Sequence, residues 1–356
     1  MKIKVGNITK IKTGKLDANA SSPDGKYPFF TCSKDPLKIN TYSYDCECVL
    51  VAGNGDLNVK YYNGKFDAYQ RTYIIEDNSN GLLYMPYLYY FLEGYIEELR
   101  KQSIGGVIKY IKLGNLTDAL IELPSIEEQK YIVNLMNTSS ELIDLRRETI
   151  NKLDSLVKAR FIEMFGDPYT NPLKWEKLKI KDAVTVEPQN GLYKPQSDYV
   201  TDRSGIPILR IDGFYDGIVT DFASLKRLKC SETEKQKYLL LEDDIVINRV
   251  NSIKYLGKCA HIKGLLEDTV YESNMMRMHF DPESYNPAYI CKLLCSQFIY
   301  DQIVNHAKKA VNQASINQKD VLDFNIYQPP VDLQNQFADF VQQVDKSKYD
   351  DMYIRY

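Results

Sequence analysis

An internal repeat constrains the fold of this chain more than any other feature of its sequence. The segment 111–129 aligns without a gap with the segment 316–334. Each segment passes through a short apolar stretch to a proline and then to a glutamine, an order typical of a strand followed by a helix start. The matched pairs are Ile111 and Ile316, Leu116 and Val321, Asp118 and Asp323, Ile121 and Ile326, Pro124 and Pro329, Ile126 and Val331, and Gln129 and Gln334. Two diverged copies of one structural unit are therefore predicted.

Three further matches lie upstream in the same order, with offsets that differ because loops change length between copies. One pair contains prolines that open amphipathic helices, and another is a pair of apolar runs typical of buried strands. The matched segments are 4–5 and 179–180, 48–51 and 244–247, and 85–88 and 286–290. Four matches in one order favour a true duplication over chance.

A long helix is predicted between the two copies, from Glu127 to Phe165, about 58 Å at 1.5 Å per residue. Ser125 and Glu128 have the spacing of a capping box, in which each side chain satisfies a backbone N–H at the helix start. Apolar residues recur with a period of seven at Met136, Ile143, Ile150, Val157 and Met164. A stripe of this kind requires a partner helix.

The second copy supplies that partner. After Pro330, apolar residues that include Phe337 and Val341 follow at helical spacing and predict a shorter C-terminal helix. We expect this helix to pack against the apolar stripe of the long helix. The alternative is that each helix packs only on its own domain.

Composition narrows the classes of function without selecting one. A chain of 356 residues suits two domains, and it lacks both an apolar run of about 20 residues and an apolar signal sequence, so a cytoplasmic protein is the default expectation. Seven cysteines, an odd number, disfavour a disulfide framework, and no metal site is expected because Cys291 and Cys295 lack a second pair of ligands nearby. The net charge of −3 is weak evidence against nucleic acid, because local charge matters more than the sum.

Several motifs together resemble the specificity subunit of type I restriction–modification systems. The motifs are LPSIEEQ at 123–129 before the long helix, FIEMFGDP at 161–168 at its end, Asn171 and Trp175 at the entry to the second copy, and AYQRTY at 68–73 in the first copy. The similarity covers nearly the whole chain. Two departures are the absence of a capping box at Pro330 and a short C-terminal helix.

The resemblance implies an α+β fold with two similar mixed-sheet DNA-recognition domains, joined by long helices that form an antiparallel coiled-coil spacer. It also implies that each domain reads one half of a bipartite site in double-stranded DNA, and that two methyltransferase subunits and restriction/translocase subunits bind as partners, without a membrane. S-adenosylmethionine, magnesium and ATP would belong to those partners, and this chain would hold no cofactor and no catalytic residue. The expected domains are 1–123 and 167–330 for recognition, and 124–166 and 331–356 for the spacer helices.

Residues that read base edges need fixed donor and acceptor geometry, which Arg, Lys, Asn and Gln provide. In the first copy the strongest candidates are Tyr69, Gln70, Arg71 and Thr72, which place an amide, a guanidinium and a hydroxyl beside a strand. The alternative is that Gln70 and Arg71 only brace the sheet. Lesser candidates, in segments typical of simple turns, are Lys12, Asn54 and Lys60.

In the second copy the candidates are polar residues next to the ends of expected strands. They are Arg210, Arg249, Ser252, Lys254, Ser273, Asn274, Gln313 and Ser315. Polar loops of this kind are also typical of plain solvated surface, so the functional assignment of each residue remains a hypothesis.

Two segments offer catalytic interpretations beside the binding one. Asn286-Pro287 is similar to part of an adenine-methyltransferase loop, but no glycine-rich strand-to-helix loop for a cofactor accompanies it. The acidic run 242–244 lacks a matching lysine-bearing strand of a nuclease. Two alternatives stay open beside a non-catalytic specificity subunit: a fragment of a fused methyltransferase–specificity enzyme, and an orphan specificity protein without active partners.

Overall fold

A computed structural model describes residues 2–219 and 221–353, with side chains through Lys348. The chain forms two compact units that divide between Glu148 and Thr149, inside the long helix. Both units combine a mixed sheet with helices, so the expected α+β class with two sheet-rich domains and a long helix between them is confirmed.

The described residues of the first unit form eight strands and the helices that pack with them. The strands are β1 (Lys2–Lys4), β2 (Thr9–Thr13), β3 (Tyr27–Phe30), β4 (Leu37–Ile39), β5 (Tyr44–Ala52), β6 (Val59–Ala68), β7 (Thr72–Asp77) and β8 (Leu120–Glu122). The helices are α1 (Val5–Ile8), α2 (Met85–Gly94), α3 (Ile96–Gln102), α4 (Leu113–Thr117) and the long helix α5 (Ile126–Phe165).

The second unit has more and shorter strands. They are β9 (Glu176–Lys179), β10 (Val184–Asn190), β11 (Tyr199–Val200), β12 (Ile206–Leu209), β13 (Phe214–Tyr215), β14 (Gly217–Val219), β15 (Arg227–Leu228), β16 (Ile245–Asn248), β17 (Val250–Asn251), β18 (Cys259–His261), β19 (Val270–Tyr271), β20 (Met275–Phe280), β21 (Lys308–Lys309), β22 (Ala314–Ser315) and β23 (Asn325–Gln328). The helices are α6 (Glu232–Tyr238), α7 (Pro287–Leu294), α8 (Gln297–His306), α9 (Gln318–Leu322) and α10 (Val331–Tyr353).

The main sheet of the first unit has the strand order β2-β7-β5-β6-β3-β4, with one parallel pair, β3 and β6. Side chains of β5 alternate between two apolar clusters, because successive residues of a strand point to opposite faces. Val49 and Val51 pack in the cluster that contains residues of α2 and α3, whereas Cys48 and Leu50 pack in a second cluster with Phe66. Both faces of the sheet centre are therefore buried.

The main sheet of the second unit has the strand order β10-β20-β16-β18-β14-β13, with β14 and β18 parallel. Its central strands repeat the register of the first unit. Val51 pairs with Tyr73 between β5 and β7, and Ile247 pairs with Met276 between β16 and β20. The predicted repeat is therefore confirmed in the pairing of the strands.

Each unit also has a small two-stranded sheet, β1-β8 in the first and β9-β23 in the second, and the two sheets pair equivalent residues. Lys4 pairs with Leu120 between β1 and β8, and Lys179 pairs with Asn325 between β9 and β23. The helix α4 corresponds to α9 at the shift of the sequence repeat. In both units the first strand therefore pairs with the strand that precedes the spacer helix, so the repeat includes this pairing.

The long helix begins one residue before the predicted start and ends at the predicted Phe165. Ser125 and Glu128 form the predicted capping box, since the N–H of Ser125 donates to Glu128 Oε2 at 3.0 Å and the N–H of Glu128 donates to Ser125 Oγ at 3.3 Å. These two bonds satisfy backbone donors that a helix start leaves open.

The C-terminal helix α10 packs antiparallel to the last part of α5 within the second unit. The ring of Phe337 lies 5.5 Å from the rings of both Phe161 and Phe165, and Lys348 Nζ lies 2.6 Å from Asp154 Oδ1. Higher numbers on α10 thus meet lower numbers on α5. Phe337 is fully buried, so this contact is part of the core of the unit.

The predicted seven-residue stripe is buried over only part of its length. Val157 and Val341 are buried as expected, and Ile150 is half-buried, but 45% of Met136 and 52% of Ile143 are exposed. The C-terminal helix therefore covers only part of the stripe, and Met136 and Ile143 are open to solvent. The reason is length, because α10 has 23 described residues against 40 in α5. Residues 354–356 of the expected spacer helix lie outside the described residues.

Candidate nucleic-acid interface

A tight turn, which we call turn A (Tyr69–Thr72), joins β6 to β7 in the first unit. The N–H of Thr72 donates to the carbonyl of Tyr69 at 2.8 Å and closes it. Two bonds attach it to neighbouring segments: the N–H of Gln70 donates to Leu16 O at 2.9 Å, and the N–H of Gly53 donates to Arg71 O at 2.8 Å. The backbone of turn A is therefore held from both sides.

The second unit contains a matching turn, which we call turn B (Glu272–Met275), between β19 and β20. The N–H of Met275 donates to Glu272 O at 3.1 Å, the N–H of Ser273 donates to Leu192 O at 2.9 Å, and the N–H of Arg249 donates to Asn274 O at 2.8 Å. These three bonds correspond one by one to those of turn A. Gln70 therefore corresponds to Ser273, and Arg71 corresponds to Asn274.

A glycine supports each turn from the neighbouring strand end. The N–H of Gly14 donates to Thr72 O at 3.0 Å, and the N–H of Gly191 donates to Met275 O at 3.1 Å. A Cβ at Gly14 would overlap the carbonyls of Ala68 and Tyr69, and one at Gly191 would overlap the carbonyls of Tyr271 and Glu272. The close approach of two backbones explains why both copies have glycine here.

The side chains of turn A have different surroundings. Gln70 is exposed, and its Nε2 donates to Asp17 Oδ1 at 3.1 Å, whereas the exposed Arg71 side chain makes no hydrogen bond or ion pair within residues 2–219 and 221–353. Thr72 is 1% exposed and its hydroxyl donates to Phe30 O at 3.3 Å, so we correct its assignment from DNA contact to packing. Tyr69 is half-buried.

An open groove of about 310 Å³ lies next to turn A. Its lining residues are Thr13, Gly53, Gln70, Arg71, Tyr73 and Ile111. Burial raises the pKa of the Tyr73 hydroxyl, which donates to Ile111 O at 3.1 Å and stays neutral. The groove is thus bordered by the hydrogen-bonded Tyr73 and Ile111 on one side and by the exposed polar side chains of Gln70 and Arg71 on the other.

The three lesser candidates of the first unit differ in their local structure. Asn54 lies in the expected turn, beside Gly55, which has a φ of +70°. Lys12 and Lys60 lie in strands β2 and β6, so the expectation of simple turns was wrong for both. Lys12 forms an ion pair with Glu76, and burial lowers the pKa of Lys60, whose ammonium contacts the side chain of Asn58. Strand pairing overrides the turn-like polarity of these segments.

Two arginines hold turn B in place. Arg249 Nη1 donates to Ser273 O at 3.0 Å. Arg210 Nη1 donates to the Tyr199 hydroxyl at 3.2 Å, and its Nε lies 3.9 Å from Glu272 Oε2. Burial raises the pKa of Glu272, while the Ile211 N–H at 2.7 Å and Arg210 act in the opposite direction. Both guanidiniums are therefore engaged within the unit and position the turn.

A small three-stranded sheet, β17-β22-β21, lies beside turn B and contains further candidates. Ser315 pairs with both Val250 and Lys308, and the N–H of Ile316 donates to Arg249 O at 3.0 Å. Gln313 is exposed at the loop between β21 and β22. The structure therefore brings Arg249, Ser273, Asn274, Gln313 and Ser315 to one region.

Two remaining candidates follow β17. Ser252 is half-buried, and Lys254 is exposed on a 3-10 turn (Ile253–Tyr255) with its ammonium 5.3 Å from the Tyr255 ring centroid. Sequence reasoning missed Lys308 and Lys309, which are exposed in β21 beside the same sheet. Two adjacent lysines shortly before the repeated strand were the available signal.

The described residues contain no group of side chains that resembles a metal site. Within residues 2–219 and 221–353, no three His, Cys, Asp or Glu side chains are grouped so that they could hold a metal ion. Cys48, Cys259 and Cys291 are buried free thiols, and Cys295 is exposed. In the same part of the chain, none of the helices is both long and apolar enough to cross a membrane.

Comparison with known proteins places these features in a family. Residues 1–155 and 172–350 match the family described as "Type I restriction modification DNA specificity domain". The specificity subunit of the type I restriction enzyme EcoDI from Escherichia coli is 39% identical over 156 residues, which are 44% of this chain and 34% of that subunit. The chain thus matches about a third of the length of this relative.

Two solved structures share the fold. The S subunit of a type I restriction–modification system from M. genitalium aligns with a TM-score of 0.61 at 15% identity, over 98% of this chain and 90% of its own. A chain from a structure titled for complex assembly and conformational transition of the type I R-M system aligns with a TM-score of 0.53 at 17% identity, over 98% and 92%. At these identities the likeness shows the fold alone.

Proposed function

Because the chain belongs to the family of type I restriction–modification DNA specificity domains, we propose that it recognises a bipartite site in double-stranded DNA. The observation that carries the proposal is the pair of turns A and B. Their backbone bonds are the same, but their side chains differ at Gln70 and Ser273 and at Arg71 and Asn274. One scaffold with different polar side chains at equivalent positions suits a protein that reads two different half-sites.

In this proposal, residues 1–123 and 167–330 are the two recognition domains, and residues 124–166 and 331–356 are the spacer. Gln70, Arg71, Ser273, Asn274 and Gln313 are the base-reading candidates. Lys254 and the lysines of β21 supply phosphate contacts, which position a protein on DNA without reading its sequence.

The exposed apolar residues of α5 support a role in assembly. Leu135, Met136, Leu142 and Ile143 are between 39% and 52% exposed. An apolar row of this length on a helix that is otherwise polar is typical of a protein-binding surface. We propose that two methyltransferase subunits bind the spacer, that restriction/translocase subunits join them, and that these partners bring S-adenosylmethionine, magnesium and ATP, while this chain is non-catalytic.

Mapping methylated adenines in the source genome tests the proposal. Deletion of this chain should abolish methylation at one bipartite motif, and its return on a plasmid should restore the same motif. The matched control is the chain with Arg203→Asn, an exposed arginine outside both turns, which should restore the motif unchanged. Methylation that persists after deletion would contradict the proposal.

A second measurement separates this proposal from a fused methyltransferase. The purified chain should not bind S-adenosylmethionine in calorimetry, whereas its complex with methyltransferase subunits should bind it. Stoichiometric binding by the chain alone would favour the enzyme.

A further inference from the structure

We propose that Arg71 and Asn274 are the equivalent residues at which the two units specify different bases, guanine through Arg71 and adenine through Asn274. This inference rests on the proposed function and deepens it, because it names the readers and the bases. It follows from three observations on the turns: a shared backbone frame, unengaged side chains at one position, and a difference in donor and acceptor chemistry.

The shared frame comes first. The carbonyl of Arg71 accepts the N–H of Gly53 at 2.8 Å, and the carbonyl of Asn274 accepts the N–H of Arg249 at 2.8 Å. Four residues after each turn begins, the strand enters the same register, with Tyr73 opposite Val51 and Met276 opposite Ile247. The Cα atoms of Arg71 and Asn274 therefore occupy equivalent places in two copies of one scaffold.

The second observation is the freedom of these two side chains. Within residues 2–219 and 221–353, neither Arg71 nor Asn274 uses its side chain in a hydrogen bond or an ion pair. Arg71 is exposed and Asn274 is half-buried, whereas the side chain of Gln70 donates to Asp17 and that of Glu272 lies 3.9 Å from Arg210. The side-chain donors of Arg71 and Asn274 are therefore available to bind a ligand.

The residues beside the two readers are held by packing. Thr72 and Met275, which follow Arg71 and Asn274, are both buried. A buried neighbour and a hydrogen-bonded carbonyl limit the motion of each Cα atom. Sites with a fixed backbone and one free side chain discriminate ligands by the chemistry of that side chain.

The third observation is chemical. A guanidinium forms two parallel hydrogen bonds with O6 and N7 of guanine, whereas the amide of asparagine pairs with N6 and N7 of adenine. Neither group satisfies the other base, because arginine has donors only and the adenine edge presents a donor beside its acceptor. A good bidentate pair discriminates against a wrong base by about tenfold to a hundredfold.

The experiment is a selection from a duplex DNA library with a randomised segment, using the full chain in complex with its methyltransferase subunits. For the unmodified chain we expect one half-site with a required guanine and another with a required adenine. Arg71→Asn should change the guanine to adenine at that single base pair, with a preference of about tenfold, and leave the second half-site unaltered. Asn274→Arg should make the reciprocal change.

Three variants sharpen the result. Asn274→Gln keeps the amide and should retain adenine, whereas Asn274→Asp replaces the donor by an acceptor and should select cytosine through its amino group. Arg203→Asn removes an exposed arginine elsewhere and should change neither half-site.

The outcomes are distinguishable. A change of one base pair in the matching half-site supports the inference. A bipartite site that is unaltered in Arg71→Asn and Asn274→Arg overturns the inference but leaves the proposed function intact. An unmodified complex that selects no sequence overturns both.

Discussion

Gln129 and Gln334 make the same three hydrogen bonds in the two units, although they stand in separate copies of the repeat. Each side chain is fully buried, accepts one backbone N–H from the start of a helix and donates to two carbonyls. The partners of Gln129 are Tyr84 N–H at 2.8 Å, Leu82 O at 2.8 Å and Pro124 O at 2.9 Å. The partners of Gln334 are Asn286 N–H at 2.9 Å, Ser284 O at 3.0 Å and Pro329 O at 2.7 Å. The glutamine thereby ties each spacer helix to the helix that opens with proline.

Replacement of either glutamine should destabilise its unit. Gln129→Ala and Gln334→Ala each leave one partly buried N–H and two carbonyls without this partner, so we expect a loss of about 2–4 kcal/mol in the free energy of unfolding. Urea unfolding followed by circular dichroism measures it. Gln342→Ala, an exposed glutamine on the same helix as Gln334, is the matched control and should change stability by less than about 0.5 kcal/mol.

Substitution of the supporting glycines should disrupt the two turns. Gly14→Ala and Gly191→Ala place a Cβ against backbone carbonyls, which cannot move away as the end of a flexible side chain does. We expect a loss of stability of about 2 kcal/mol or more for each variant, with lower DNA affinity. Gly106→Ala is the control, because nothing lies within 4 Å of its added Cβ. Equal stability of all three variants in thermal melts would be the contrary result.

Truncation of an apolar side chain should have different effects where α10 covers the long helix α5 and where α5 is exposed. Phe337→Ala removes a fully buried ring from the contact with Phe161 and Phe165, and it should cost about 3–5 kcal/mol of folding free energy. Ile143→Ala removes a side chain that is 52% exposed and should leave the stability of the chain nearly unchanged. In a pull-down with methyltransferase subunits, Ile143→Asp should weaken binding. Wild-type binding by Ile143→Asp would argue against docking at this surface.

The first turn of helix α6 should make the second unit sensitive to acid. The backbone N–H of Ser231, together with Lys194 at 2.9 Å, lowers the pKa of Glu234 to about 2. A carboxyl whose pKa is lowered by folding contributes stability above its unfolded pKa and loses that contribution as the pH falls towards its folded pKa. The difference in Tm between the wild type and Glu234→Gln should therefore be largest near pH 6 and shrink between about pH 4.5 and pH 2. A difference that is independent of pH would contradict this assignment.

The length of the spacer helix should set the spacing of the DNA site. Four residues inserted between Ser140 and Glu141, both exposed, lengthen the helix by about 6 Å, which corresponds to about two base pairs. Mapping of methylated adenines should show the same half-sites with a longer gap. Substitution of four residues at the same place without a change of length is the control. New half-site sequences would count against a spacer role.

Much of the scaffold was predictable from the sequence, because the relevant signals are local. The repeat from Ile111 to Gln129 and its second copy identified two units, and the capping box at Ser125 located the start of the long helix within one residue. Proline at the start of α2 and α7 also had its expected place. These features depend on residues a few positions apart, so the chain order is sufficient to show them.

The candidate site was less accessible to sequence reasoning. Turn A and turn B were identified separately, and their equivalence became visible only through the hydrogen bonds of Gly53 and Arg249. The loops of the two copies differ in length, so no single shift in residue number aligns turn A with turn B and the repeated helix starts. Thr72 looked like a contact residue because its hydroxyl is polar, but its burial against Phe30 depends on the packing of a distant strand.

The sequence by itself determined that this protein has two copies of one unit, where each spacer helix begins, and which residue types stand at the turns. Tertiary structure alone decided that α10 covers only the end of α5, that Lys12 is paired with Glu76, and that Arg71 and Asn274 occupy one place in two scaffolds. The physical reason is the separation along the chain of the residues that interact. Periodicity and capping act between near neighbours along the chain, whereas burial and side-chain partners depend on segments that only folding brings together.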